Sequence, residues 1–206
     1  MRRLNEYIPA GNKLLRCGYT TGTCAAAATR AAAELLLAGE APALVVVSTP
    51  AGIDVELDVE ESTCGEGWAC CGVRKDAGDD PDVTDGVMVY ARVFLREGAG
   101  VVVDGGVGVG RVTKPGLDQP VGAAAINATP RAMIEQAARE VAADKGYDGG
   151  LVVQISIPAG VELAERTFNP KLGIEGGISV LGTTGIVKPM SEEALVKTLC
   201  LELRVL

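Results

Sequence analysis

Histidine is absent from all 206 residues. That absence removes Ser-His-Asp and Cys-His nucleophiles and leaves Asp, Glu, Lys, Tyr or Cys as any general base. It also removes a usual partner of cysteine in zinc sites. The six cysteines, Cys17, Cys24, Cys64, Cys70, Cys71 and Cys200, follow no common zinc spacing, so no resident metal is expected. Aromatic residues make up only 3% of a chain that is 48% hydrophobic, so the core must be built from Ala, Val, Leu and Ile. No apolar run reaches the roughly 18 residues of a membrane span. The start, MRRLNEYIPAGNKLL, is basic, but no apolar core of a signal peptide follows it. Basic charge is also short. A net charge of −8 disfavours both a nucleic-acid binder and a protein bound to anionic membranes. A cytoplasmic chain with reduced thiols is the expectation.

What is present reads as one large or two small domains of mixed α/β, or α+β, layers. CAAAATRAAAELLLAG (24–39) predicts a helix ending at Gly39, with Thr21 or Thr23 as its cap. PRAMIEQAAREVAADKG (130–146) predicts a second, and SEEALVKTLCLELRVL (191–206) a third that opens at Ser191. ALVVVST (43–49) reads as a buried strand. IDVELDVE (53–60), VMVYARVFL (87–95) and LVVQISI (151–157) alternate apolar and polar residues and read as half-exposed strands. The last helix runs to Leu206 without a cap, which suggests that a longer protein continues there.

Four segments carry candidate chemistry. GYTTGTCAAAA (18–28) leads a Thr/Gly loop into a helix, where free N–H groups and the dipole favour anions. Ordinary capping explains the same residues. VVVDGGVGVGRVTKPGLDQPVG (101–122) spaces Gly106, Gly108 and Gly110 as G-x-G-x-G, which is not a dinucleotide fingerprint. It suits a glycine-lined loop open to a bulky flat ligand, with Arg111 and Lys114 to pair carboxylates, or simply a tight hairpin. TFNPKLGIEGGISVLGTTGIVKPMS (167–191) combines turn dipeptides with Thr183, Thr184 and Lys188. Finally, Asp76, Asp79, Asp80, Asp82 and Asp85 crowd into ten residues. A calcium loop starting at Asp80 fails, because its sixth position is Asp85 and its twelfth is Ala91. The remaining readings are a solvated turn, or carboxylates that hold ribose hydroxyls, a cationic cofactor or a proton.

Taken together, GYTTGTCAAAA, VRKDAGDDPDVTDG, GVGRVTKPGLDQPVG, AINATPRAMI and TFNPKLGIEGGISVLGTTGIVKPMSEEAL closely resemble the cobalt-precorrin-5B C1-methyltransferase family of anaerobic cobalamin biosynthesis. The resemblance covers about residues 16 to 200. It implies a non-Rossmann, CbiD-like N-terminal domain over 1–206, with the family's C-terminal domain absent. It also implies methyl transfer from S-adenosylmethionine to carbon 1 of a cobalt-corrin intermediate, with cobalt present only in that substrate. A sulfonium methyl and an electron-rich ring carbon need alignment and exclusion of water, and no histidine. On this resemblance Asp76, Asp79 and Asp80 are candidate catalytic residues. Thr20, Thr21, Gly22, Thr23, Asp82, Thr183 and Thr184 are candidates for the cofactor. Gly106, Gly108, Gly110, Arg111, Lys114, Asn127, Arg131 and Lys188 are candidates for the corrin. Two departures stand out: Val107 and Ala123 occupy positions where the family carries acids. A non-catalytic corrinoid-binding domain and a purely structural domain are the alternatives, and a homodimer is the expected assembly.

Overall fold

The computed structural model describes residues 2–191, 196 and 200; the helix expected to follow Ser191 lies, those two positions aside, outside the described residues. An N-terminal hairpin pairs β1 (Tyr7–Ala10) with β2 (Lys13–Arg16), and β3 (Gly18–Tyr19) then leads into α1 (Thr21–Ala38). A second hairpin, β4 (Leu44–Ser48) with β5 (Asp54–Asp58), precedes β6 (Glu61–Gly65), β7 (Trp68–Arg74), β8 (Met88–Arg96) and β9 (Val101–Gly105). Short strands β10 (Gly108–Val109) and β11 (Arg111–Val112) precede α2 (Ala128–Asp144) and β12 (Gly150–Ser156). One further turn of helix, α3 (Gly160–Leu163), and the two-residue strands β13 (Ile174–Glu175), β14 (Gly177–Ile178) and β15 (Ile186–Val187) complete the described fold.

The central sheet has the order β6-β7-β8-β12-β9, antiparallel throughout except where β12 runs parallel to β9. This mostly antiparallel order is not that of a Rossmann domain. Ala69, Cys71 and Val73, Val89, Ala91 and Val93, and Leu151, Val153 and Ile155 alternate inward and form one apolar face. Helix α1 lies on that face, with α2 beside it and the β4–β5 hairpin alongside. Its alanines 25–28 and 31–33 are completely buried. A helix buried on most sides needs little polar surface, which is why its only charges are Arg30 and Glu34, partly exposed and paired with each other. Methyl side chains also let it approach the sheet and α2 closely; one larger residue there would cost about 1–3 kcal/mol in overpacking. The buried hydroxyl in the middle of this helix, Thr29, is satisfied by donating to the Ala25 carbonyl at 2.8 Å.

The strands expected over 43–49, 53–60, 87–95 and 151–157 all form, as do both described long helices. One expectation is corrected: 43–49 is not a fully buried strand. Val45 and Val47 face the core, whereas Val46 is exposed, because this hairpin covers α1 with one face only. Helix α1 also begins earlier than expected, at Thr21 with Thr20 as its cap.

The sheet registers place Arg74 opposite Met88, Tyr90 opposite Ser156 and Ile155 opposite Gly105. Residues 75–87, 106–110 and 157–160 therefore all leave the sheet at the same end. Helix α1 starts there too, since the Tyr19 amide donates to the Asp76 carbonyl at 2.7 Å. Helix α2 starts nearby: a Cβ on Gly22 would sit 2.8 Å from the Pro130 ring.

Candidate functional site

The crowded aspartates occupy the loop between β7 and β8, and each holds a different part of this sheet end. Asp76 is 3% exposed and receives both Arg16 guanidinium nitrogens, at 2.6 and 2.8 Å. Burial by itself would raise the Asp76 pKa, but the Arg16 and Gly78 hydrogen bonds and the Arg16 charge outweigh it, and the value ends below the usual carboxylate range. Asp79 accepts from the Arg16 amide at 2.7 Å. Asp80 accepts from the Met190 amide at 2.9 Å. Asp82 pairs at 2.6 Å with Lys75, whose side chain is 1% exposed, and also accepts from the Thr84 amide and hydroxyl. Burial again opposes ionisation of Asp82, and the Lys75 charge and hydrogen bond with those of Thr84 lower its pKa overall. Asp85 accepts from the Ala77 amide at 2.8 Å. The like charges are tolerated because each carboxylate meets its own donor. Asp79 and Asp85 remain at the surface, and Asp80 is half-exposed.

The loop is interlocked with residues 16–19. A Cβ on Gly18 would overlap the Ala77 carbonyl, and one on Gly78, at φ 72°, would overlap the backbone of Arg16 and Cys17. Only glycine allows this close crossing of two chain segments.

The Thr/Gly loop caps α1 and simultaneously docks residues 181–187. The Thr20 hydroxyl accepts from the Thr23 amide at 3.2 Å, and the Thr23 hydroxyl donates to the Gly185 carbonyl at 2.7 Å. The Thr21 hydroxyl both donates to and accepts from the Leu181 backbone, and the Gly22 amide donates to the Leu181 carbonyl. Thr20, Thr21 and Thr23 are buried, and the first-turn amides of Gly22, Thr23 and Cys24 already have partners within the protein. Strand β15 pairs with β3, setting Ile186 opposite Tyr19. Thr183, Thr184 and Lys188 stay at the surface, and Met190 adopts a left-handed φ of 57° beside Asp80. Three of the sequence motifs, 18–23, 76–85 and 181–190, thus meet at one end of the sheet.

The glycine-rich segment forms a neighbouring cluster. Gly108 and Val109 pair in parallel with Gly177 and Ile178, while Arg111 and Val112 pair antiparallel with Glu175 and Ile174. A Cβ on Gly108 would run into the Ile157 carbonyl, and one on Gly110 into Ile174. These glycines therefore serve a backbone crossing inside the protein. Arg111 is engaged by Asp104 at 2.6 and 2.9 Å and by the Gly105 carbonyl at 2.8 Å. Arg131 donates to the Val103 carbonyl at 2.6 Å. Asn127 precedes α2 without a side-chain capping bond, and Lys114 lies along Gly173 with its side chain exposed. The Val180–Asn127 and Leu181–Gly22 backbone bonds tie this cluster to the first.

A groove of about 490 Å³ opens at the same sheet end, between residues 83–90 and 158–163. Met88, Val87, Leu163 and the ring of Tyr90 give it apolar walls, and Asp85 and Glu162 stand on its lining. Sequence reasoning missed Pro158, Ala159 and Glu162. The one available signal was their position, immediately after a strand that ends beside the aspartate loop. Lys75 was missed as well, although its neighbours were singled out. Burial pushes the Cys24 and Cys71 thiols and the Tyr19 phenol each up to about 12. None of these three is therefore available as a base near neutral pH. Among the described residues no group of three or more Cys, Asp and Glu is arranged to hold a metal ion. No helix among them is long and apolar enough to cross a membrane.

A family model described as CbiD matches residues 8–189. The cobalt-precorrin-5B C(1)-methyltransferase of Ruminiclostridium cellulolyticum is 50% identical over 98% of this chain and 52% of its own length. That of a Thermoanaerobacter species is 53% identical over 98% of this chain and 55% of its own length. The crystal structure of a cobalamin biosynthesis protein, CbiD, from Archaeoglobus fulgidus superposes with a TM-score of 0.69 at 38% identity. That match covers 95% of this chain and 62% of the other. The chain spans about half the length of the curated relatives it matches.

Proposed function

The chain belongs to the CbiD family, and on that premise we propose that it forms the ligand-binding part of a corrin methyltransferase. The reaction is transfer of a methyl group from S-adenosylmethionine to carbon 1 of cobalt-precorrin-5B, giving cobalt-precorrin-6A. The observation that carries this reading is the meeting of residues 18–23, 76–85 and 181–190 at one sheet end, in a chain about half identical to proteins bearing that name.

When bound, the donor supplies a methyl group on a sulfonium, already a strong electrophile. The residues at this sheet end suit such a ligand: surface carboxylates complement its positive charge, and no histidine is needed for the transfer itself. In our reading Asp79, exposed, and Asp80, half-exposed, face the cation or the ribose. Asp76 and Asp82 act on the same ligand through the loop shape that Arg16 and Lys75 fix. Thr183 presents a surface hydroxyl, the Thr184 hydroxyl braces the turn by donating to the Ile186 carbonyl at 2.9 Å, and Thr20, Thr21, Gly22 and Thr23 hold that surface in place. Lys114, Arg131 and Lys188 offer positive charge to the corrin carboxylates. Gly106, Gly108, Gly110, Arg111 and Asn127 shape the wall they stand on. The main demand on the protein is in-line alignment of donor and ring carbon with water excluded. A homodimer in the cytoplasm is the setting we propose.

The test is to incubate the purified chain with S-adenosylmethionine and cobalt-precorrin-5B and to follow methylation of the ring by mass spectrometry. Methyl transfer that falls in Asp79→Asn and Asp80→Asn supports the reading. Val107 and Ala123, at positions where the family carries acids, favour a second one: a domain that binds the corrin without methylating it. Retention of the coloured corrinoid without transfer would support that alternative, and neither retention nor transfer would overturn both.

A further inference from the structure

We propose that the outer face of the central sheet docks a second copy of this chain, related by a two-fold axis that runs along the strands between β8 and β12. The inference rests on the homodimer reading above and not on the methyl-transfer chemistry. Helices α1 and α2 lie on the inner face, and among the described residues no long helix covers the outer one. The registers set its side chains in rows. One row is apolar: Trp68, Phe94, Val152 and Val102 stand side by side on β7, β8, β12 and β9. The next is polar, with Arg92, Gln154 and Asp104 on β8, β12 and β9. A third sets Tyr90 beside Ser156. The sole tryptophan, one of two phenylalanines and one of four tyrosines therefore stand on this face, in a chain whose core is aliphatic. Aromatic residues and arginine are enriched where proteins meet. Val102 is 43% exposed, and Trp68 and Phe94 are partly exposed. The Arg92 guanidinium lies 4.6 Å from the centroid of the Trp68 ring, and among the described residues no carboxylate pairs with it.

The face is complementary to itself across that axis, as an isologous contact requires. The rotation keeps each row at its own level. It sets β8 over β12 of the second copy and β7 over its β9. Trp68 and Phe94 of one copy then meet Val102 and Val152 of the other, so large rings face small branched side chains in both directions. Arg92 meets Gln154 and comes beside Asp104, the carboxylate that also holds Arg111. Tyr90 meets Ser156. An axis along β8 itself would instead set Arg92 against Arg92 and Phe94 against Phe94, which charge and size both oppose. Four strands and three rows span about 19 Å by about 20 Å, a flat area of about 400 Å² per copy, which places the contact in the class of weak, reversible dimers. Because the axis follows the strands, the aspartate loops of both copies lie at the same end of the dimer.

The experiment is sedimentation velocity of the purified chain from about 1 μM to about 1 mM, with half-dimerisation expected at about 10–100 μM. Arg92→Glu sets an acid beside Asp104 of the other copy, and Gln154→Lys sets a cation against Arg92. Each is expected to weaken the dimer at least about tenfold. Val102→Glu, on an edge strand at an exposed position, sets an acid against Trp68 and should weaken it likewise. Mixing Arg92→Glu with Gln154→Lys brings the new acid of one chain onto the new lysine of the other and keeps one native pair. The mixture should therefore form a heterodimer of near wild-type affinity, which also shows that both variants are folded. A wild-type dimer that none of the three variants weakens would place the interface elsewhere and overturn this inference, while the homodimer reading stands. Weakened single variants that fail to pair when mixed would overturn the proposed axis. A chain still monomeric at about 1 mM would overturn both this inference and the homodimer, and would leave the methyl-transfer reading untouched.

Discussion

Replacing Asp82 by asparagine is expected to destabilise the protein more than replacing its partner Lys75 by methionine. The two side chains touch at 2.6 Å, but they are buried unequally: 1% of Lys75 is exposed against 25% of Asp82. Asp82→Asn leaves the Lys75 ammonium inside the protein without a counter-ion. Breaking a buried pair from one side costs about 3–5 kcal/mol, and the asparagine carbonyl, still an acceptor, keeps the cost near 3 kcal/mol. Lys75→Met removes the buried charge and fills the space of its aliphatic stem. Asp82 then keeps its Thr84 amide and hydroxyl at 2.7 and 2.6 Å and its contact with water, so the loss is about 1 kcal/mol. The double variant should resemble Lys75→Met alone, a coupling of about 3 kcal/mol. Against a total stability of about 5–15 kcal/mol, the single Asp82 change is large, and it should lower Tm by roughly 10 °C. Urea unfolding followed by fluorescence of Trp68, the one tryptophan, reads all three variants. If Asp82→Asn costs no more than Lys75→Met, the pair does not hold the loop in the way described.

Three further outcomes follow from the same sheet end. Gly18→Ala and Gly78→Ala should each cost about 3 kcal/mol or more, because the added methyl meets backbone and not a movable side chain; urea midpoints measure this. Asp76 and Asp82 have folded pKa values below the unfolded carboxylate value of about 3.9. Their stabilisation is complete above that value and is lost as pH falls through the lower folded values, so acid titration should show a loss of stability below about pH 4 that is shallower in Asp76→Asn. Met190→Gly should raise stability by about 1 kcal/mol in thermal unfolding, because Met190 sits at a φ that glycine adopts without penalty.

The parts of the fold visible in the sequence are those with a strong local signal. Alternation marked β5, β8 and β12, and alanine with a terminal glycine marked α1. Strands β6 and β7 were not visible, because ESTCG and WACCGVR mix small and polar residues without a clean period; pairing to β8 makes them strands. The two-residue strands β10, β13 and β14 depend on glycines at a backbone crossing, and no local pattern announces such a contact. In the candidate site, the motifs were legible as segments but not in their local work. A carboxylate such as Asp80 that accepts from an amide 110 residues away looks in sequence like any other surface acid. Arg111 read as a free cation because its partner, Asp104, lies on β9, a strand of the central sheet seven residues earlier, in a stretch that read only as glycine-rich. The groove was invisible because its two sides, 83–90 and 158–163, are brought together only by the pairing of β8 with β12.

The measurement that tests the account most directly is hydrogen–deuterium exchange of the chain with and without S-adenosylmethionine. The account predicts added protection at residues 76–88, 158–163 and 181–190, with residues 2–6 and 44–58 unchanged. Protection confined to those N-terminal segments, or no protection anywhere, would contradict the assignment of the ligand site to this end of the sheet.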